Sequence, residues 1–164
     1  MKKLLIVLLV LMCITLFLGI KLNVINKSEP TVEALLKVPE EIEIGGKKYY
    51  LEAYLWRDFM PISPPDGKPL MGVVKLLMDD LSGLPDGIDV TRVWIIDKDK
   101  VWQPDLSDKE NVKKMRANSY LQINFRNGPK WGPNIYVDVV LNVVDSSKGS
   151  YLLRGAYQYI ERTD

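Results

Sequence analysis

From Glu40 to the C-terminus, apolar residues recur mostly at every second position, the period of a strand that buries one face. The clearest run is 135–144. Ile135, Val137, Val139, Leu141 and Val143 fall on one side, and Tyr136, Asp138 and Asn142 on the other. The same alternation predicts strands over 41–44, 48–57, 71–78, 90–96, 119–125 and 150–160, with a stub at Val101-Trp102 and a bend or bulge at Gly155. Gly45-Gly46 supplies the positive φ angles of a two-residue hairpin turn. Ser107-Asp108-Lys109-Glu110 matches a capping box and predicts a brief helix over 108–115, in a crossover between strands. Seven or eight short strands at near-regular spacing predict an all-β, two-sheet sandwich. The chain lacks the Cys…Trp…Cys pattern of antibody domains, so the expectation is a β-sandwich of the wider immunoglobulin-like or fibronectin-like kind.

The pattern changes upstream of Glu40. Leu4 to Ile20 is an uncharged apolar run behind Lys2 and Lys3, closed by Lys21, and it has the length and flanks of an export signal or short membrane span. Phe17-Leu18-Gly19 puts a bulky residue where signal peptidase wants a small one, which favours an uncleaved anchor over a cleaved signal. Lys2 and Lys3 then hold the N-terminus in the cytoplasm. Met12 is too large for the position before a lipidated cysteine, so Cys13 reads as an apolar helix residue. Residues 22–39 form a juxtamembrane linker. In it Ser28-Glu29-Pro30 opens a short helix carrying Val32, Leu35 and Leu36, and Pro39 ends it. The organisation is an anchor or signal peptide over 1–21, a linker over 22–39 and a β domain over 40–164.

Composition removes several chemistries. The chain has no histidine, which excludes Ser-His-Asp and Cys-His catalysis and His-containing zinc sites. Its single cysteine excludes an internal disulfide and a thiolate metal cluster. With 22 Lys+Arg against 21 Asp+Glu and no basic block, nothing marks a nucleic-acid surface. The expectation is no catalytic residue, no metal and no cofactor.

Candidate binding residues lie in three places. On the strand at 48–57, Leu51, Ala53 and Leu55 make the core face, leaving Tyr50, Glu52, Tyr54 and Trp56 opposite. This aromatic row either stacks on sugar rings or a partner, or packs across strands. Trp56 opens the stretch WRDFMPISPPDGKPL, in which Pro61, Pro64, Pro65 and Pro69 stiffen the chain and Asp66-Gly67 turns it. Arg57-Asp58 suggests a local ion pair, and the loop is either a rigid recognition lip or a rim guarding a sheet end. In NGPKWGP, Trp131 sits between two Gly-Pro steps as either a binding anchor or a plug over the sandwich end. The acidic stretch around Asp79, Asp80, Asp86 and Asp89 lacks EF-hand spacing and reads as solvated turns.

LWRDFMPISPPDGKPL, GPKWGPNIYVDVV and YLLRGAYQYIERTD together resemble small exported or membrane-anchored bacterial proteins. The resemblance implies an immunoglobulin-like sandwich facing the cell envelope and brings no catalytic residue with it. The expected function is a non-catalytic, membrane-tethered module outside the cytoplasm, or a secreted one if the signal is cleaved, that binds an envelope protein or component. The alternatives are a carbohydrate-binding module using Tyr54, Trp56 or Trp131, and, below it, a small carboxylate-based hydrolase.

Overall fold

A computed structural model describes residues 29–80 and 83–164. The expected anchor over 1–21, Cys13 and the linker's first residues lie outside them. No helix of the described residues is long and apolar enough to cross a membrane.

The described residues form an all-β fold, a nine-stranded curled sheet. Its strands are β1 (Ile42–Ile44), β2 (Lys47–Asp58), β3 (Leu70–Met78), β4 (Ile88–Asp97), β5 (Lys100–Trp102), β6 (Val112–Arg116), β7 (Tyr120–Gly128), β8 (Tyr136–Asp145) and β9 (Gly149–Thr163). They pair in the order β5-β4-β8-β9-β2-β3-β7-β6, with β1 on β2. The turn between β1 and β2 uses Gly45 and Gly46 at φ 65° and 77°, the left-handed geometry that the glycine pair predicts.

Strand β9 makes the curl. Its first part pairs antiparallel with β8 (Asp145↔Gly149 to Tyr136↔Tyr159), and its last residues pair parallel with β2 (Leu55↔Ile160 to Asp58↔Thr163). A register shift opposite Val137 and Val139 lets the strand bend, with Tyr157 at φ 51° beside the expected bulge at Gly155. The sheet thereby has two arms, β5-β4-β8 and β2-β3-β7-β6, joined through β9. Inward residues of both arms form one core, with Leu55, Val74, Leu76, Ile123 and Phe125 from one and Val93, Ile95, Val139 and Leu141 from the other. On the side away from β9, Lys114 and Arg116 of β6 reach the carbonyls of Val90 and of Leu84, Pro85 and Ile88 at the start of β4.

The expected helix over 108–115 is replaced by a turn and β6. Ser107 does not cap a helix, because its N–H and hydroxyl both donate to Asp105 (2.9 and 2.7 Å). Asp108 instead accepts from the N–H groups of Glu110 and Asn111, closing a turn in which Asp competes with helix geometry. Residues 112–116 then pair with β7 along its free side. The short helix lies upstream: α1 (Val32–Leu36) is capped by Thr31, whose hydroxyl accepts from the Ala34 N–H at 3.2 Å. Leu35 of α1 is buried with Trp94, Ile96 and Val140, and Val32, Leu36, Val38 and Leu152 pack around them. The helix thus covers the part of the outer face of β4, β8 and β9 around Trp94, Ile96, Val140 and Leu152.

Candidate functional site

Among the described residues, the other arm's outer face carries no such cover. Alternation along β2 buries Leu51 and Leu55 and turns Glu52, Tyr54 and Trp56 outward. Strand pairing then sets their neighbours. Tyr54 lies beside Val73, Asn124 and Lys113 in successive strands; Glu52 lies beside Lys75, Gln122 and Met115. A trough therefore runs along β3, with an aromatic side on β2 and an amide side on β7. It holds two depressions that share Val73. One, of about 450 Å³, is lined by Trp56, Met71, Asn111, Lys113, Gln122 and Asn124, among others; the second, of about 270 Å³, by Glu52, Tyr54 and Lys75.

Tyr54 and Trp56 stack on each other along the strand, with ring centroids 5.1 Å apart and planes 27° from parallel. This is contact along one strand, rather than the cross-strand packing weighed for this row. Tyr54 is 48% exposed and Trp56 half-buried. The Tyr54 hydroxyl donates to Glu161 at 2.8 Å, and that bond is the main cause holding its pKa above the ordinary tyrosine value. Beyond β2 the aromatic surface continues. Tyr159 and Glu161 flank the inward Ile160 just as Tyr54 and Trp56 flank Leu55, and Tyr159 meets Tyr136 at 5.2 Å. On the amide side, Gln122 donates to the Asn124 side-chain oxygen at 2.8 Å. That bond leaves the carbonyl oxygen of Gln122 and the amide nitrogen of Asn124 for other partners.

The other candidates at the loop end are brought together, but as a structural clamp. Arg57 is 3% exposed. Its guanidinium donates to the carbonyls of Lys68 (2.9 Å), Lys130 (3.2 Å), Gly132 (2.7 Å) and Asp66, joining the proline-rich loop to the NGPKWGP loop. Asp66 and Lys130 add an ion pair between the same two loops at 2.5 Å. Burial draws the Arg57 pKa below its ordinary value, and the group stays charged. The local Arg57–Asp58 ion pair expected from their adjacency is replaced. Successive residues of a strand point to opposite faces, and Asp58 pairs with Lys68 at 2.6 Å while accepting the Met60 N–H at 2.8 Å. Trp131 is half-buried against the main core. In the acidic stretch, Asp89 pairs with Lys114, and among the described residues no group of three or more Cys, Asp or Glu is placed to hold a metal ion.

The carboxyl of Asp58 is held below its ordinary pKa, first by the Lys68 ammonium and then by the Met60 N–H; Asp66 is lowered chiefly by Lys130. A carboxylate whose folded-state pKa is depressed contributes stability in full above its unfolded value, near 3.8, and loses it as pH falls through the folded value. Asp138 has the opposite sign, since burial raises it. The urea midpoint is therefore expected to stay level through the neutral range and to fall below about pH 4. Asp58→Asn should lower the neutral plateau and flatten that acid limb; an unchanged limb would contradict the Asp58–Lys68 role.

No family model, no curated protein and no solved structure matches the chain.

Proposed function

We propose that the protein is a non-catalytic β-sandwich module of immunoglobulin-like architecture, tethered by the apolar segment 4–20, that presents the outer face of β2-β3-β7-β6 to a component of the cell envelope. One observation carries the choice of face: α1 covers Trp94, Ile96, Val140 and Leu152 on the outer face of one arm, while among the described residues no element covers the half-exposed aromatic and amide side chains of the other. Exposed aromatic surface with a polar surround is typical of recognition sites.

The strand order supports the architecture. Lettered in chain order from β2, strands A, B, E and D are β2, β3, β7 and β6, and strands C′, C, F and G are β5, β4, β8 and β9. That division is the one immunoglobulin-like sandwiches use, with A meeting G at the join. The absence of histidine, together with the commitment of Arg57, Asp58, Asp66 and Lys130 to holding loops, favours binding over catalysis.

A photo-crosslinking side chain placed at Lys75, in the middle of the open face, tests the reading in intact cells. A discrete adduct in the envelope fraction is expected from Lys75 and not from Glu33 on α1. Equal labelling from both positions, or recovery of the chain in the cytoplasm, would overturn it.

A further inference from the structure

The chemistry of the trough specifies a class of ligand. We infer that it binds an uncharged oligosaccharide chain lying along β3 between the Tyr54–Trp56 side and the Gln122–Asn124 side. This rests on the open-face reading above and narrows it.

Three features point to sugar. First, a pyranose ring has an apolar C–H face and a rim of hydroxyls, and it requires an aromatic surface beside groups that both donate and accept. Trp56 supplies the surface, and the side-chain amides of Asn111, Gln122 and Asn124 line the same depression. Second, charges of both signs are interspersed along the trough: Glu52 with Lys75 in one depression, and Glu110 with Lys113 and Arg126 in the other. A mixed-sign lining offers hydrogen bonds without selecting an ion. Third, β3 is an interior strand whose ladder groups are taken by β2 on one side and β7 on the other. A peptide that binds by strand addition needs a free strand edge, and the trough offers none. The two depressions meet at Val73, so the site accommodates a chain of linked rings rather than one compact molecule. Trp131, packed against the core and bound up with the Arg57 clamp, takes no part in it.

The test is calorimetric titration of the full chain, held in a detergent without a sugar headgroup. The probes are a panel of neutral hexose and N-acetylhexosamine oligomers, with uronic acid oligomers as the charged comparison. At least one neutral series should bind saturably, more tightly as the oligomer lengthens, and with little dependence on salt. Trp56→Ala should weaken that binding about tenfold or more. Asn124→Ala, a milder change on the opposite side, should weaken it several-fold, which keeps the test intact if Trp56→Ala folds poorly. Tyr157→Ala, an exposed aromatic outside the trough, should leave it unchanged. The inference falls if no neutral oligomer binds, if only the uronic acids bind, or if both trough variants bind like the wild type. Where the panel fails yet Lys75 crosslinks to a discrete envelope protein, the open-face reading stands and the sugar assignment alone is lost.

Discussion

Replacing Arg57 by alanine should cost about 3 kcal/mol of stability, because several buried polar groups lose their partner at once and each orphaned group costs about 1–3 kcal/mol. The guanidinium is nearly inaccessible and spends its donors on four main-chain carbonyls from two loops. Those loops carry few backbone bonds of their own beyond Ser63 to Met60, Gly67 to Pro64 and Lys68 to Asp58. In a domain of this size the loss corresponds to a fall in melting temperature of roughly 10 °C. Arg57→Lys should recover less than half, since a point-like ammonium cannot serve acceptors spread around a planar fork. Arg57→Met fills comparable volume and donates nothing, so it separates hydrogen bonding from packing. It should lie within about 1 kcal/mol of the alanine variant in chemical denaturation. A methionine variant as stable as the wild type would show that the loops are held by packing and that the carbonyl contacts are incidental.

That clamp marks where the sequence stops being readable. The strands are legible because burial on one face imposes a period of two, and Ile135 to Val143 or Leu51 to Leu55 display it directly. Strand β6 is not, because it buries only Val112 and exposes Lys113 through Arg116, so its period is hidden at the sheet's edge. The neighbouring Ser107 and Glu110 imitate a helix cap, and only the Asp105 and Asp108 side-chain bonds decide for a turn. The candidate site divides in the same way. Tyr54 and Trp56 are legible as an outward row on one strand. Their opposite side, Gln122 and Asn124, is equally outward in the alternation of β7, but it carries meaning only once β3 is known to lie between the two strands. The role of Arg57 depends on Lys130 and Gly132, more than seventy positions away, and no local pattern contains that information.

Valine at Gly72 should destabilise the domain by about 3 kcal/mol or more, the upper range for overpacking a filled core. Gly72 lies between Leu55 and Phe125 in the paired strands β2, β3 and β7. A methyl group added there would sit 2.6 Å from the Leu55 side chain and overlap the end of the Phe125 ring. Both neighbours are buried, at 0% and 2% exposure, so neither has open space to move into. The strand conformation itself is ordinary, and a Gly→Ala change in a strand would otherwise gain up to about 1 kcal/mol from backbone entropy; a net loss therefore isolates the steric term. Phe125→Leu removes the ring atoms that a Gly72 side chain meets and leaves the Leu55 contact in place. Alone it should cost about 1 kcal/mol through the space it leaves, but combined with Gly72→Ala it should be less damaging than the sum of the two, with a favourable coupling of about 1 kcal/mol. Phe125 also meets Trp102 of β5 edge-on at 5.1 Å, so displacing the ring presses from one arm of the sheet onto the other. The near-ultraviolet circular dichroism of Gly72→Ala should change accordingly, and Phe125→Leu should abolish that response. Additive energies with an unaltered aromatic signal would mean that the two arms yield independently, and that the core joining them is looser than its burial indicates.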